Sequence, residues 1–229
     1  MANLYLISTP IGNLKDITLR ALETINSVEV LLCEDTRDGK LLIESYPDFI
    51  SDSPTLLSYN DHNRNRRIPE VINLLTQGKS IGLITDRGTP LLSDPGYKLV
   101  QAVIELQSTF EDTQIIPVPG ANALLPALQL SSFPPDSFTF VGFLPRKEGK
   151  LRKLLQAHED ITMIAYESPH RLVKSLEIMK DELGEGISVS ISFEITKIFE
   201  RTYRGTVSEV LDQLSSKPPK GECVLTWYM

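Results

Sequence analysis

The sequence predicts an α/β protein in two parts, with a mostly parallel sheet in the first half and a mixed sheet in the second. Three observations carry this. Short apolar strands alternate with helical patterns as far as residue 118, and strands separated by helices imply parallel pairing. The pattern changes around Pro117, Pro119 and Gly120, after which several strands follow one another with fewer helices between them. Finally, the run Thr85 to Tyr97 (TDRGTPLLSDPGY) follows directly on an apolar strand and precedes a helix. It therefore reads as a strand-to-helix binding turn and not a hairpin.

In order along the chain, Leu4 to Ser8 reads as a strand. Ile17 to Ile25 reads as a helix, with Ile17, Ala21, Leu22 and Ile25 at helical spacing, and Val28 to Cys33 as a second buried strand. A helix at Lys40 to Glu44, a strand at Thr55 to Tyr59, a helix at Ile68 to Leu75 and a strand at Ser80 to Ile84 follow. The first half closes with the helix Lys98 to Leu106 and the strand Gln114 to Val118. A domain boundary is placed here, giving 1–118 and 119–229.

The second half opens with a helix at Ala123 to Leu130. A strand at Phe138 to Phe143, a helix at Leu151 to Ala157 and a strand at Ile161 to Tyr166 follow. Ser168 and Pro169 supply an N-cap and a proline at the first helical position for a helix to about Leu183. Strands at Ile187 to Phe193, Arg201 to Gly205 and Cys223 to Trp227 complete it. Between the last two, Thr206 and Glu209 form a capping box for a helix to Leu214.

Composition narrows the function. The 229 residues are 41% hydrophobic and 23% charged, ordinary for a globular protein. The first ten residues lack a basic stretch before their apolar run, and no apolar run nears the roughly 20 residues that span a bilayer, so a cytoplasmic protein without membrane association is expected. Cys33 and Cys223 lie far apart in apolar strands, which favours buried reduced thiols. A net charge of −7 argues against sequence-blind adhesion to nucleic acid. Two local clusters run against that average: Arg146, Lys147, Lys150, Arg152 and Lys153, and the smaller Arg64, Arg66 and Arg67. They permit an RNA partner, although solvated helix faces carry such runs too.

Three turns fall at comparable places: STPIGN (Ser8 to Asn13), Thr85 to Gly96, and PGANA (Pro119 to Ala123). Each follows a strand of the first half, so all three are expected on one edge of the sheet, where a ligand crevice forms. The chain has no GxGxxG after its first strand, no GxxxxGK[ST] and no GxSxG. His62 and His170 have no histidine or cysteine at ligand spacing, so no metal site is expected.

The blocks STPIGNLKDITLRAL (Ser8 to Leu22), CEDTR (Cys33 to Arg37), DRGTPLLSDPGY (Asp86 to Tyr97), PGANAL (Pro119 to Leu124), FVGFLPRK (Phe140 to Lys147), YESPHRL (Tyr166 to Leu172) and EITKIFE (Glu194 to Glu200) span nearly the whole chain. In this order they resemble the tetrapyrrole methylase family, and within it the branch acting on ribosomal RNA. The resemblance implies the two-domain tetrapyrrole-methylase-like fold with S-adenosylmethionine bound in a cleft between the domains, a homodimer, and 2'-O-methylation of a cytidine ribose in small-subunit (16S) rRNA. The partner would be that rRNA or the assembled small subunit. Carried over by motif, the cofactor shell would include Pro10, Asp86, Gly88, Thr89, Pro90, Ala121, Asn122, Ala123, Tyr166 and Pro169, with Glu167 beside the last two.

The chain departs from the family pattern at Arg87, where a small alanine is usual, at Asn122, where a serine is usual, and at Phe193, which replaces an arginine. Asp38 and Gly39 also interrupt the usual continuation of CEDTR. Methyl transfer to a ribose oxygen needs alignment and removal of a weakly acidic proton. Candidate bases are Glu34, Asp35, Glu167 and the pair Glu194 with Lys197. In the expected scheme Lys197 polarises or deprotonates the hydroxyl while Glu194 orients it. Arg146, Lys147, Lys150, Arg152 and Arg171 are the expected substrate-binding residues. The alternatives are a tetrapyrrole-type or diphthine-type methylase on the same fold, or a non-catalytic rRNA-binding assembly factor.

Overall fold

The computed structural model describes residues 2–110, 112–157, 160–216 and 220–229. Its contacts divide the chain into two compact units, Met1–Asn122 and Ala123–Met229.

The first unit contains β1 (Asn3–Ile7), α1 (Leu19–Ser27), β2 (Val30–Cys33), α2 (Thr36–Glu44), β3 (Thr55–Ser58), α3 (Arg64–Thr76), β4 (Ile81–Leu83), α4 (Tyr97–Gln107) and β5 (Gln114–Val118). Among the described residues the strands form one five-stranded sheet in the order β3-β2-β4-β1-β5, and every pair is parallel. Both faces are covered, as a parallel sheet requires. Val30 and Leu32 join Val71, Leu75, Leu99 and Val103 of α3 and α4 on one face. Leu31 and Cys33 join Ala21, Leu22, Ile25 and Ile43 of α1 and α2 on the other. This alternation is the period-2 geometry of a strand turned into a three-layer core.

Three helices begin three or four residues earlier than their hydrophobic pattern suggests, α6 among them at Glu148 and not Leu151. The spacing predicts α2 from Lys40, but it starts at Thr36 because Asp35 caps it, Oδ1 accepting the Arg37 N–H at 2.8 Å. Gly39 masks the turn in sequence, since glycine disfavours helix interiors. Its missing side chain has a packing reason: a Cβ there would collide with Cys33 Sγ. Helix α3 starts at Arg64 and not at Ile68, carrying Pro69 within it. Among its early arginines Arg67 is drawn inward, its Nε bonding Ser58 O at 3.0 Å, Arg64 pairs with the exposed Asp61 at 2.6 Å, and Arg66 is exposed.

The second unit contains α5 (Leu124–Ser131), β6 (Phe138–Phe143), α6 (Glu148–Leu155), β7 (Thr162–Glu167), α7 (Pro169–Leu183), β8 (Ser188–Phe193), β9 (Arg201–Thr206), α8 (Val207–Ser216) and β10 (Cys223–Tyr228). Its sheet runs β6-β7-β10-β8-β9, with β6 parallel to β7 and the other pairs antiparallel. The sheet is mixed, as the sequence predicts. Leu151, Leu172, Leu176, Met179, Val207 and Val210 from α6, α7 and α8 pack with Met163, Val189, Ile191, Leu225 and Trp227 in a single core.

The capping box holds reciprocally. Glu209 Oε2 accepts the Thr206 N–H at 2.8 Å, and Thr206 Oγ1 accepts the Glu209 N–H at 3.3 Å. Ser168 takes the N-cap position of α7 with proline behind it, but its hydroxyl makes no cap bond. Both cysteines are buried and outside any disulfide, and burial first of all pushes each thiol up to about 12.

Candidate functional site

Strand order explains why three turns distant in sequence meet. The chain passes to β3 at one edge, returns to lay β4 beside β1, then places β5 on the far side of β1. The turns leaving β4, β1 and β5 are therefore neighbours at the carboxyl edge. Thr9 and Gly88 form an isolated antiparallel bridge, with Thr9 N to Gly88 O at 2.9 Å and Gly88 N to Thr9 O at 3.1 Å. Thr9 Oγ1 donates to Thr85 O at 3.2 Å, and the Ser8 and Thr89 hydroxyls share a bond of 3.0 Å. Thr89 Oγ1 also lies 3.1 Å from Ala121 O, tying the second turn to the third.

Small residues make this approach possible. Gly88 has φ 86°, and a Cβ there would stand 3.2 Å from Ile11 Cγ2. A Cβ on Gly120 would meet Ser8 Cβ at 2.9 Å. Of the expected cofactor residues, Pro10, Gly88 and Pro90 are buried, Thr89, Ala121 and Asn122 are half-buried, and Asp86 is exposed. All seven belong to this junction. Ala123 opens α5 in the second unit. Arg87 is exposed; loss of solvent raises the Asp86 carboxyl beside it above the ordinary range, and the Arg87 charge opposes that only in part.

A fourth segment, following β2, joins the edge. Asp86 Oδ1 accepts the Asp35 N–H at 3.1 Å, and Glu34 Oε2 accepts from Thr85 Oγ1 at 3.4 Å. Burial, then the Asp86 and Asp94 charges, hold Glu34 above the ordinary carboxylate range. Burial also raises Asp94, which accepts the Gly96 and Leu91 amides at 2.8 and 2.5 Å. Asp35 differs: its hydrogen bonds from Arg37 lower it to about 2. The edge thus carries a negative potential over a floor of backbone amides and hydroxyls, suited to a ligand with cationic and hydroxyl groups.

In the second unit, Tyr166 is half-buried at the end of β7, with the Phe140 and Phe143 rings against it at centroid distances of 4.9 and 5.5 Å. Pro169 begins α7. Glu167 is fully buried, and its carboxylate accepts from Ser175 Oγ at 2.6 Å, Ser168 N at 2.6 Å and Arg171 at 3.0 Å. Arg171 also donates to Leu144 O at 2.9 Å, bracing the loop before α6. Arg152 ion-pairs with Glu148, Asp181 and Glu182. Arg146, Lys147 and Lys150 are exposed around the start of α6. The basic run therefore separates into a structural arginine and an outward-facing strip.

The turn after β8 brings together two residues singled out in sequence and one that was not. Lys197 Nζ donates to Glu194 Oε1 at 3.0 Å and to Glu222 Oε2 at 2.8 Å. Glu194 Oε1 also accepts the Glu222 N–H at 2.7 Å, and Glu194 N bonds Glu222 O at 2.9 Å. Burial alone would lower the lysine, but the bonds to Glu222 and Glu194 outweigh it and hold Lys197 above the usual lysine value. Two non-glycine residues of the turn, Glu194 (φ 49°) and Thr196 (φ 69°), occupy the left-handed region. Such conformations persist where surrounding bonds over-determine them, often at working sites.

Phe193 is buried, with the Arg201 guanidinium 4.8 Å from its ring centroid. The two are cross-strand partners, so Arg201 places a cation over the ring at the position where the resemblance leads one to expect an arginine. Besides Glu222 and Arg201, Ser8 and Thr9 were not singled out one by one in the sequence, although the turn they open was. Their signal was two hydroxyls at a strand end beside Pro10.

Solved structures define the class first. The fold is shared over 100% of this chain and 94% of the other with a uroporphyrin-III-C-methyltransferase from Thermus thermophilus, at TM-score 0.67 and 18% identity. A diphthine synthase matches at TM-score 0.67 and 15% identity, covering 99% of this chain and 90% of the other. A second structure of the Thermus thermophilus enzyme, complexed with S-adenyl homocysteine, matches at TM-score 0.65 and 14% identity over 99% and 97% of the two chains. This is the architecture of the tetrapyrrole methylases.

The sequence then gives the membership. The chain belongs to the Tetrapyrrole (Corrin/Porphyrin) Methylases, whose family model matches residues 3–211. It is 43% identical over 225 residues to Ribosomal RNA small subunit methyltransferase I of Mesorhizobium japonicum, covering 97% of this chain and 74% of that protein. It is 42% identical over 228 residues to the protein of the same name from Synechocystis, covering 98% and 78%.

Proposed function

We propose that this protein transfers a methyl group from S-adenosylmethionine to the 2'-oxygen of a cytidine ribose in small-subunit rRNA. The observation that carries the reading is the 42–43% identity, along nearly the whole chain, to proteins named Ribosomal RNA small subunit methyltransferase I. Likeness to the tetrapyrrole and diphthine enzymes is 14–18% and speaks for the fold alone. The rRNA substrate implies a cytoplasmic protein, and family resemblance implies a homodimer. Among the described residues no helix is long and apolar enough to cross a membrane.

The residues at the first unit's edge fit the cofactor. Hydroxyls of Ser8 and Thr89, the backbone of residues 86–90 and 120–122, and the carboxylates of Glu34 and Asp86 offer partners to ribose hydroxyls and an ammonium. Their negative potential suits a cationic ligand. When bound, S-adenosylmethionine supplies a methyl group activated on a sulfonium. The protein's own share is alignment, charge and handling of one proton.

Lys197, held protonated, serves as a hydrogen-bond donor to the ribose 2'-oxygen and stabilises negative charge developing there. Glu194, already fixed by Lys197 and the Glu222 amide, orients the hydroxyl and accepts its proton. Arg146, Lys147 and Lys150 meet RNA phosphate. Glu167, spent on Arg171, Ser175 and Ser168, holds the start of α7.

The test is transfer of labelled methyl from S-adenosylmethionine to small subunits from a strain lacking this enzyme, run beside a tetrapyrrole acceptor. Label in the rRNA alone is expected. Label in the tetrapyrrole and none in the rRNA would replace this reading with the small-molecule one.

A further inference from the structure

We infer that Glu222, reached across Gly221, is a positioning residue for the Lys197–Glu194 pair: it fixes where the ammonium stands and keeps it charged through the reaction. The inference rests on the role proposed above for that pair. Three contacts carry it. The Glu222 carboxylate accepts from Lys197 Nζ at 2.8 Å, its amide donates to Glu194 Oε1 at 2.7 Å, and its carbonyl accepts from Glu194 N at 2.9 Å. One residue, 28 positions from Glu194, thus grips both members of the pair through side chain and backbone.

Gly221 makes the grip possible. It stands at φ 86°, and a Cβ there would fall within the van der Waals shell of Glu194 Cγ, Cδ and Oε1. The Glu194 side chain therefore lies directly against the Gly221 backbone, where no other residue type leaves it room. The ammonium is left between two carboxylates with its side chain only 21% exposed. Among the described residues, the charged groups facing Lys197 are Glu194 on its own turn and Glu222 from the segment leading into β10. Arg201, on the adjoining strand β9, turns its guanidinium to Phe199 O and Lys220 O.

Two carboxylates around one ammonium do more than orient it. With a single carboxylate, burial would be less fully offset and the lysine would lose its proton at lower pH. A neutral amine cannot stabilise charge developing on the ribose oxygen, so transfer would fail on the alkaline side. The charge of Glu222 thus favours the protonated lysine, while its backbone sets the geometry.

The experiment separates these roles in the full-length protein. The Lys197 Nζ or Cε resonance is followed by NMR titration in wild type, Glu222→Gln and Glu222→Asp, and the pH profile of kcat on small subunits is recorded for each. Glu222→Gln keeps an acceptor but removes the charge. Its expected result is a lower Lys197 titration point and an alkaline limb of kcat displaced to lower pH by the same amount, with Glu222→Asp returning both part of the way. An unchanged Lys197 titration in Glu222→Gln would overturn the inference. So would a shifted titration with an unmoved limb, since Lys197 would then not be the ammonium that transfer needs. If wild type methylated no small subunit, the proposed function would fall and the NMR arm would still decide whether Glu222 holds the lysine.

Discussion

The two units build their candidate sites in opposite ways. At the edge of the parallel sheet, turns after three strands are stitched by backbone bonds and short hydroxyls, with glycines at the close approaches. On the turn after β8, long charged side chains converge from two separated segments, on a backbone strained at Glu194 and Thr196. A surface made of backbone is rigid and tolerant of what its exposed side chains are, which is how Arg87 is accommodated: it is exposed while Gly88 makes the bridge to Thr9. A charge cluster is sensitive to every member, because removing one partner strands another.

The sharpest way to break that contrast is at Lys197. Lys197→Ala is expected to lower kcat on small subunits by about 10²- to 10³-fold while leaving S-adenosylmethionine affinity within about twofold. Calorimetric titration beside single-turnover kinetics checks both. Equal loss of both would erase the division of labour between the units.

Gly88→Ala should behave in the opposite sense. The new Cβ meets Ile11 at a residue held at φ 86°, and an L side chain there costs about 1–2 kcal/mol. Weaker cofactor binding, by roughly tenfold, and a lowered Tm are expected, with kcat at saturating cofactor nearly retained. Gly221→Ala, at the same φ of 86° but with its Cβ also overlapping Glu194, should lower stability by more than Gly88→Ala does, lose kcat and leave cofactor affinity alone. The same substitution in the two units thus reads out different steps.

The effects at the outward-facing basic strip are smaller. Lys147→Glu with Lys150→Glu should weaken small-subunit binding and flatten its salt dependence by about one unit of slope for each phosphate left without its lysine. An unchanged slope would remove the strip from the RNA interface. Smallest is Thr206→Ala, which breaks the capping box of α8 and should cost about 1 kcal/mol of stability with activity intact, measured by denaturant unfolding.

The same contrast decides how much was legible in the sequence. The strands and the three turns could be read because apolar period and Gly/Pro punctuation are local signals, and a parallel sheet brings its turns to one edge whatever the exact strand order. The start of α2 was obscured because Asp35 looked like a reactive carboxylate and Gly39 like a break, when one is a cap and the other sits tight against Cys33. Glu194 and Lys197 could be paired because they sit three apart on one turn. Glu222 could not, because only the pairing of β8 with β10 carries it to them. Nor could the basic run be divided, since Arg152 finds Asp181 and Glu182 on a helix some thirty residues away.

The most direct test of the proposed transfer is mass-spectrometric mapping of small-subunit rRNA after incubation with the protein and labelled S-adenosylmethionine. Label is expected on the ribose of a cytidine, as a 2'-O-methyl group, and to form far more slowly when Lys197→Ala replaces wild type. Label on a base, or label undiminished in Lys197→Ala, would contradict that mechanism.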